Sequence, residues 1–284
     1  MNDAAQAADT FAQAAQLNRE DPLLRGCLLR FPDFGQLVVT GDLHGHGRNF
    51  ERLERYCDLE HAGARHVVLH EIIHEDPNVT GHDRSCEVLL AAAAWKCAFP
   101  DQVHFLQSNH ELAQLTGHEI SKNGRVVTAD FEAGLAAVFG AAHAPRVLEA
   151  IRSFIRSLPL AGRTAHRVFV AHSVPGPRDL PAFDPAILQR SLTDADLFER
   201  GPVHALVWGR YQTEASLEAL RASLDADFFI CGHQPQEAGY EVLYDRLVIL
   251  ASDHNHGVFL PLDLRKPATL DSLTAAIRPL ASLP

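Results

Sequence analysis

Disulfide chemistry has little to work with in this chain. Its 284 residues hold five cysteines, Cys27, Cys57, Cys86, Cys97 and Cys231, an odd number with no Cys-x-x-Cys pair. That count argues against a disulfide scaffold and a thiolate zinc site, and makes a reducing compartment the expectation. Long apolar runs are missing too, since none reaches the ~18 residues that a membrane helix needs. The opening MNDAAQAADTFAQAAQ has neither a basic stretch nor an apolar core, so it does not read as a secretory signal. The cytoplasm is the expected location. Positive charge is scarce: 25 Lys and Arg face 36 Asp and Glu, for a formal net charge of −11 with the 17 His neutral. That balance is a poor match for nucleic acid or an anionic membrane, although bound metal ions can reverse the field locally for an anionic substrate. Repeats, low-complexity tracts and linkers are absent from the sequence. Apolar residues at 46% and charged residues at 21% describe an ordinary globular chain, long enough to bury a core without a metal or disulfide to staple it.

What is present alternates. Short apolar runs predict strands at 37–40, 66–69, 103–106, 167–171, 228–231, 246–251 and 258–261. Longer periodic stretches predict helices at 49–58, 85–99, 128–139, 145–157, 184–191 and 214–225. The alternation predicts an α/β fold with helices on sheet faces. Residues 1–20 read as an N-terminal helix or tail ended by Asp21-Pro22, and residues 21–284 as one domain.

Polar residues gather where the predicted strands end. Asp42 and His44 follow the first, Glu71 and His74 the second, and Asn109 and His110 the third. His172 and His233 follow the fourth and fifth. Ligands of open α/β sheets sit at the carboxyl ends of strands, so these side chains are expected to share one cleft. Imidazole, carboxylate and carbonyl donors suit divalent Mn, Fe or Zn. Asp42-x-His44 puts two donors on one side of an extended segment. Two such ions clamp a phosphoryl group and activate water, and His110 beside Asn109 is placed to protonate a leaving group.

These residues carry a resemblance. Gly41-Asp42-Leu43-His44-Gly45, Ser108-Asn109-His110-Glu111, the run Val168–His172, Leu206-Val207-Trp208 and Cys231-Gly232-His233-Gln234 occur in the order of the signatures of the serine/threonine phosphoprotein phosphatases. That family lies within the calcineurin-like metallophosphoesterases. The resemblance implies a two-sheet β-sandwich flanked by helices, a strand at Leu206–Trp208 and phosphomonoester hydrolysis at two divalent metals. Carried over, Asp42, His44 and Glu71 hold one ion, and Glu71, Asn109, His172 and His233 the other. A phosphorylated protein or a small phosphoester is the implied substrate.

The second signature departs from the family's Gly-Asp-x-x-Asp-Arg-Gly. Here His70-Glu71-Ile72-Ile73-His74-Glu75 stands in its place. Glu71 replaces the bridging Asp, with His70 and His74 as rivals for that role. His74 replaces the Asp that orients the catalytic His, and Glu75 replaces a phosphate-binding Arg. Arg210, Arg84 and Arg48 are the candidates to restore that cation. An altered signature also fits a pseudophosphatase that binds a phosphorylated partner without hydrolysis. His70–His74 further matches His-Glu-x-x-His of zinc metalloproteases, a chemistry that needs a helix, whereas residues 65–69 read as a strand and Pro77 closes the segment early.

Overall fold

The computed structural model describes residues 3–75, 82–122, 124–198 and 201–283, so Pro77 lies outside the described residues. The strands form where the apolar runs stand. One sheet holds β1 (Leu24–Arg25), β2 (Leu28–Arg30), β8 (Ala161–Arg163), β9 (Val168–Ala171), β10 (Phe228–Cys231), β12 (Leu247–Leu250) and β11 (Tyr240–Leu243), in that spatial order. The other holds β14 (Arg278–Pro279), β13 (Val258–Asp263), β3 (Gln36–Asp42), β4 (Arg65–His70) and β5 (Val103–Leu106). A small hairpin, β6 (Ser121–Lys122) and β7 (Arg125–Val126), stands apart.

Side chains alternate across a strand, and both faces here are buried. Leu37, Val39, Val68, Val168, Val170, Ile230, Val248 and Leu250 fill the space between the sheets. Their neighbours Val38, Val67, Leu69, Phe169, Phe229, Leu247 and Ile249 point outward, under the helices. Burial on both sides is why these strands read as continuous apolar runs. Each fully buried Val, Leu, Ile or Phe contributes about 1.5–3 kcal/mol. The expected two-sheet α/β sandwich is the observed fold.

Among the described residues the α-helices are α1 (Ala4–Arg19), α2 (Gly47–Cys57), α3 (Ser85–Ala98), α4 (Asn109–Thr116), α5 (Val127–Phe139), α6 (Ala144–Ile155), α7 (Pro202–Val207), α8 (Glu214–Leu224) and α9 (Leu270–Ala276). Asp3 caps α1 by accepting from the amides of Ala5 and Gln6. Phe11 then seals α1 onto α6 through the ring of Phe154. Two expectations need correction. Residues 184–191 form a short 3₁₀ segment, Pro185–Gln189, in place of an α-helix. Leu206-Val207-Trp208 is no strand: Pro202 sets the first helical φ, α7 runs to Val207, and Trp208 caps it. The Leu206 carbonyl still accepts from the Ser173 amide beyond the end of β9. Among the described residues no helix is long and apolar enough to cross a membrane.

A buried polar chain ties α3 and the segment after α1 to the sheet. Lys96 of α3, fully buried, donates to Asp21 Oδ2 at 3.0 Å and to the Pro100 carbonyl. His104 Nδ1 donates to the same carboxylate at 2.8 Å, and His66 Nδ1 donates to His104 Nε2 at 3.1 Å. Burial opposes the Asp21 carboxylate, but His104 and Lys96 outweigh it and bring its pKa to about 2. Burial, then the neighbouring His104, lowers His66 to about 4. Folding therefore favours neutral His66, so stability falls as pH drops from ~6.5, the unfolded value, towards 4. A further loss accompanies protonation of Asp21 between the unfolded ~3.9 and about 2. Urea unfolding followed against pH is expected to show this acid decline, with a shallower slope in His66→Asn. Asp21→Asn, which strands the Lys96 charge, is expected to cost about 3–5 kcal/mol at pH 7.

Candidate metal centre

Two loops stitched together build the floor of the site. The amides of Leu43 and His44 both donate to the Glu71 carbonyl at 2.9 Å, and the Gly45 amide donates to that of Ile72. Glu111, in the first turn of α4, takes the Ile72 amide at 2.8 Å and the Ile73 amide at 3.3 Å on one oxygen, and Ser108 on the other. Asp42, at the end of β3, accepts the His233 amide on both oxygens, at 3.0 and 2.8 Å. Gly232 makes that approach possible: a Cβ there would lie 2.1 Å from Asp42 Oδ1. His44, Glu71, His74 and His233 all carry left-handed backbone, with φ of 42°, 48°, 66° and 68°. Such strain concentrates at functional sites.

Ring protons can be followed from the carbonyls outward. The Thr40 carbonyl lies 2.8 Å from His70 Nε2, so that nitrogen carries the proton and His70 Nδ1 is bare. His70 Nδ1 faces His172 Nδ1 at 3.2 Å, which then carries a proton and leaves His172 Nε2 bare. That lone pair lies 2.6 Å from Asn109 Oδ1, 3.0 Å from Glu71 Oε2 and 3.2 Å from His233 Nδ1. The Ile73 carbonyl likewise takes the His44 Nδ1 proton at 3.0 Å, leaving Nε2 bare at 3.0 Å from Glu71 Oε1. Glu71 Oε2 and His233 Nε2 are buried without a hydrogen-bond partner. Electron pairs facing one another at these distances need a cation, or extra protons, between them. The nitrogen and oxygen donors fit a borderline or hard divalent metal. Two groups have ligand atoms within 4.8 Å of one another: His44, Glu71 and His110, and Asp42, His70 and His172, the second open to an ion only once the proton between His70 and His172 leaves.

The electrostatics carry the same sign. Burial, then the Glu71 carboxylate, pushes Asp42 up to about 7. Burial acts on Glu71 too, but His110, His172 and His44 outweigh it and hold it well below the usual carboxylate range. His44 rises to about 9 against burial, because Glu71 favours its charged form. A proton on His44 stands in for a cation.

Asp42, His44, Glu71, Asn109, His110, His172 and His233 thus meet in one cluster. His74 Nδ1 lies 2.8 Å from His110 Nδ1. Arg210 stands at the rim, donating to the His233 carbonyl at 3.2 Å. Arg84 forks onto Glu87 in an exposed ion pair, and Arg48 is exposed on α2. Lys122 of the β6–β7 hairpin, with no role in the sequence reading, adds a positive charge felt by His44, His74 and His110. His70 stands with Asp42 and His172, and Glu71 with His44 and His110. The protease reading fails on geometry, because residues 71–75 are not helical and His70 and His74 point to separate partners, His172 and His110.

No family profile matches the chain, and no curated protein matches its sequence. Solved structures do resemble it. A protein serine/threonine phosphatase from Saccharomyces cerevisiae, described as similar to human phosphatase PP5, aligns with a TM-score of 0.67 at 15% identity, over 99% of this chain and 94% of that one. The cold-active protein-tyrosine phosphatase of a psychrophilic Shewanella species aligns with a TM-score of 0.58 at 15% identity, over 93% of this chain and 84% of that one. The chain therefore has the fold of these phosphatases.

Elemental analysis of the purified protein is expected to find about two divalent ions per chain. Gly232→Ala, which drives a methyl into Asp42, is expected to lose at least one of them.

Proposed function

We propose that the chain is a metal-dependent phosphomonoesterase acting on a phosphorylated protein or a small phosphoester. The observation that carries this reading is the set of bare imidazole nitrogens and unpartnered carboxylate oxygen around Glu71, within a fold shared with two phosphatases. Asp42, His44 and Glu71 would hold one divalent ion, and Glu71, Asn109, His172 and His233 a second. When bound, such a pair supplies Lewis acidity and lowers the pKa of water at the site to about 7.

The chain's own groups do the rest. Asp42 and Glu71 fix the ligand geometry, while His70 spends the His172 Nδ1 proton outward. Arg210 and Lys122 offset the phosphate charge and orient it. With its Nδ1 proton held by His74, His110 takes up a second proton from solvent at Nε2 and hands it to the leaving oxygen.

Turnover of p-nitrophenyl phosphate after Mn²⁺ loading tests the reading. Asp42→Asn and His110→Asn are each expected to lower kcat by about 100-fold or more. Arg210→Ala is expected to act mainly on KM, raising it about tenfold. Tight metal binding with no turnover of any phosphoester would overturn catalysis in favour of a phosphate-binding pseudoenzyme.

A further inference from the structure

A second chain of hydrogen bonds leaves the site on the far side of His110. Gln114 is four residues after His110 on α4, so the two side chains lie on one face of that helix. Gln114 Nε2 donates to Glu132 Oε1 of α5 at 3.2 Å. An ionised carboxylate only accepts, so the amide nitrogen of Gln114 must face Glu132 and its oxygen must face inward. That oxygen lies 3.0 Å from His74 Nε2, which therefore carries the His74 proton. His74 Nδ1 is then bare and accepts from His110 Nδ1 at 2.8 Å. His110 Nε2 is left toward the cleft, 3.9 Å from Glu71 Oε1. Gln114, His74 and His110 are buried, the Phe131 ring packs edge-on against His74, and the His74 amide donates to Ser85 Oγ. Arg152 Nη2 lies 3.6 Å from Glu132 Oε1 and shares that anchor.

We propose that Gln114, anchored by Glu132, is a positioning residue that sets the tautomer of His74 and thereby aims the exchangeable nitrogen of His110 at the substrate. The inference rests on the reading of His110 as the proton-transfer group. A neutral imidazole in the His74 position has two tautomers of similar energy, and only one leaves a lone pair for His110. A carboxylate there would accept in any state. The chain has placed its anion three links away and uses an amide of fixed orientation to transmit the preference.

Long-range proton–nitrogen NMR of full-length protein labelled with ¹⁵N-histidine, metal-free and loaded with diamagnetic Zn²⁺, reads each ring's tautomer directly. The expected pattern is a proton on His110 Nδ1 and on His74 Nε2. Gln114→Met, which keeps the volume and removes the acceptor, is expected to mix the tautomers of both rings. It should also lower kcat for p-nitrophenyl phosphate about tenfold, with KM within twofold. Gln114→Glu, which keeps an acceptor oxygen, should restore the parent tautomers and most of the turnover. Glu132→Leu, on the protein surface, should shift both readouts in the same direction as Gln114→Met and serves if that variant fails to fold. Unchanged tautomers and unchanged kcat in a folded Gln114→Met or Glu132→Leu protein would overturn the proposal. Tautomers that respond in a protein with no turnover would overturn the phosphatase reading and leave the relay standing.

Discussion

The structure turns on a single buried carboxylate, Glu71, whose two oxygens each face an imidazole nitrogen at 3.0 Å. That contact is attractive only with positive charge between the partners. The protons that would provide it are drawn away, one to the Ile73 carbonyl and one through His70 to the Thr40 carbonyl. Asp42 is close enough for the Glu71 carboxylate to oppose its ionisation. Bare donors and a buried carboxylate pair together favour a multivalent cation. Against burial, the Glu71 carboxylate favours the charged forms of His44 and His172, a partial substitute.

Holding those groups costs backbone energy. Left-handed conformations at His44, Glu71, His74 and His233 cost about 1–3 kcal/mol each. The surrounding bonds offset this. One carbonyl, that of Glu71, accepts two amides from the neighbouring loop, the Glu111 side chain accepts two more, and Asp42 binds the His233 amide across the two sheets. Glu111 has a double use: with Ser108 it closes the N-terminus of α4, and it also clamps the 72–73 backbone. The interlocking makes the site part of the seam between the sheets.

The residues of the site were legible because each follows a strand whose apolar run is unmistakable. Burial on both faces makes 37–40, 103–106 and 228–231 continuous, so the polar residue at each end stands out. Contacts between segments were less legible. No local pattern pairs Thr40 with His70, or His70 with His172, because those bonds cross between strands. The i, i+4 spacing of His110 and Gln114 was a usable signal, but it gained meaning only with the three-dimensional position of His74. Leu206–Trp208 misled because three apolar residues have no period, and Pro202 decided the matter from outside the segment. Lys122 was invisible for a related reason: a two-residue strand in a polar hairpin carries almost no sequence signal.

The altered second signature can be followed to its electrostatic end. An Asp–Arg pair at 74–75 sums to zero charge, whereas His74–Glu75 sums to −1. A bare anion facing the cleft would repel a phosphate. Glu75 is turned aside: its Oε2 accepts the Arg84 amide at 3.1 Å, at the N-terminus of α3, where the helix dipole favours negative charge. Its Cβ lies against the backbone at Gly45, where any larger residue would collide with it. Against the signature it resembles, position 75 therefore offers no cation, and its anion is engaged at the start of α3. The field at the cleft is then carried by Arg210 and Lys122, on segments outside the second signature. Both lie more than forty positions along the chain from Glu75.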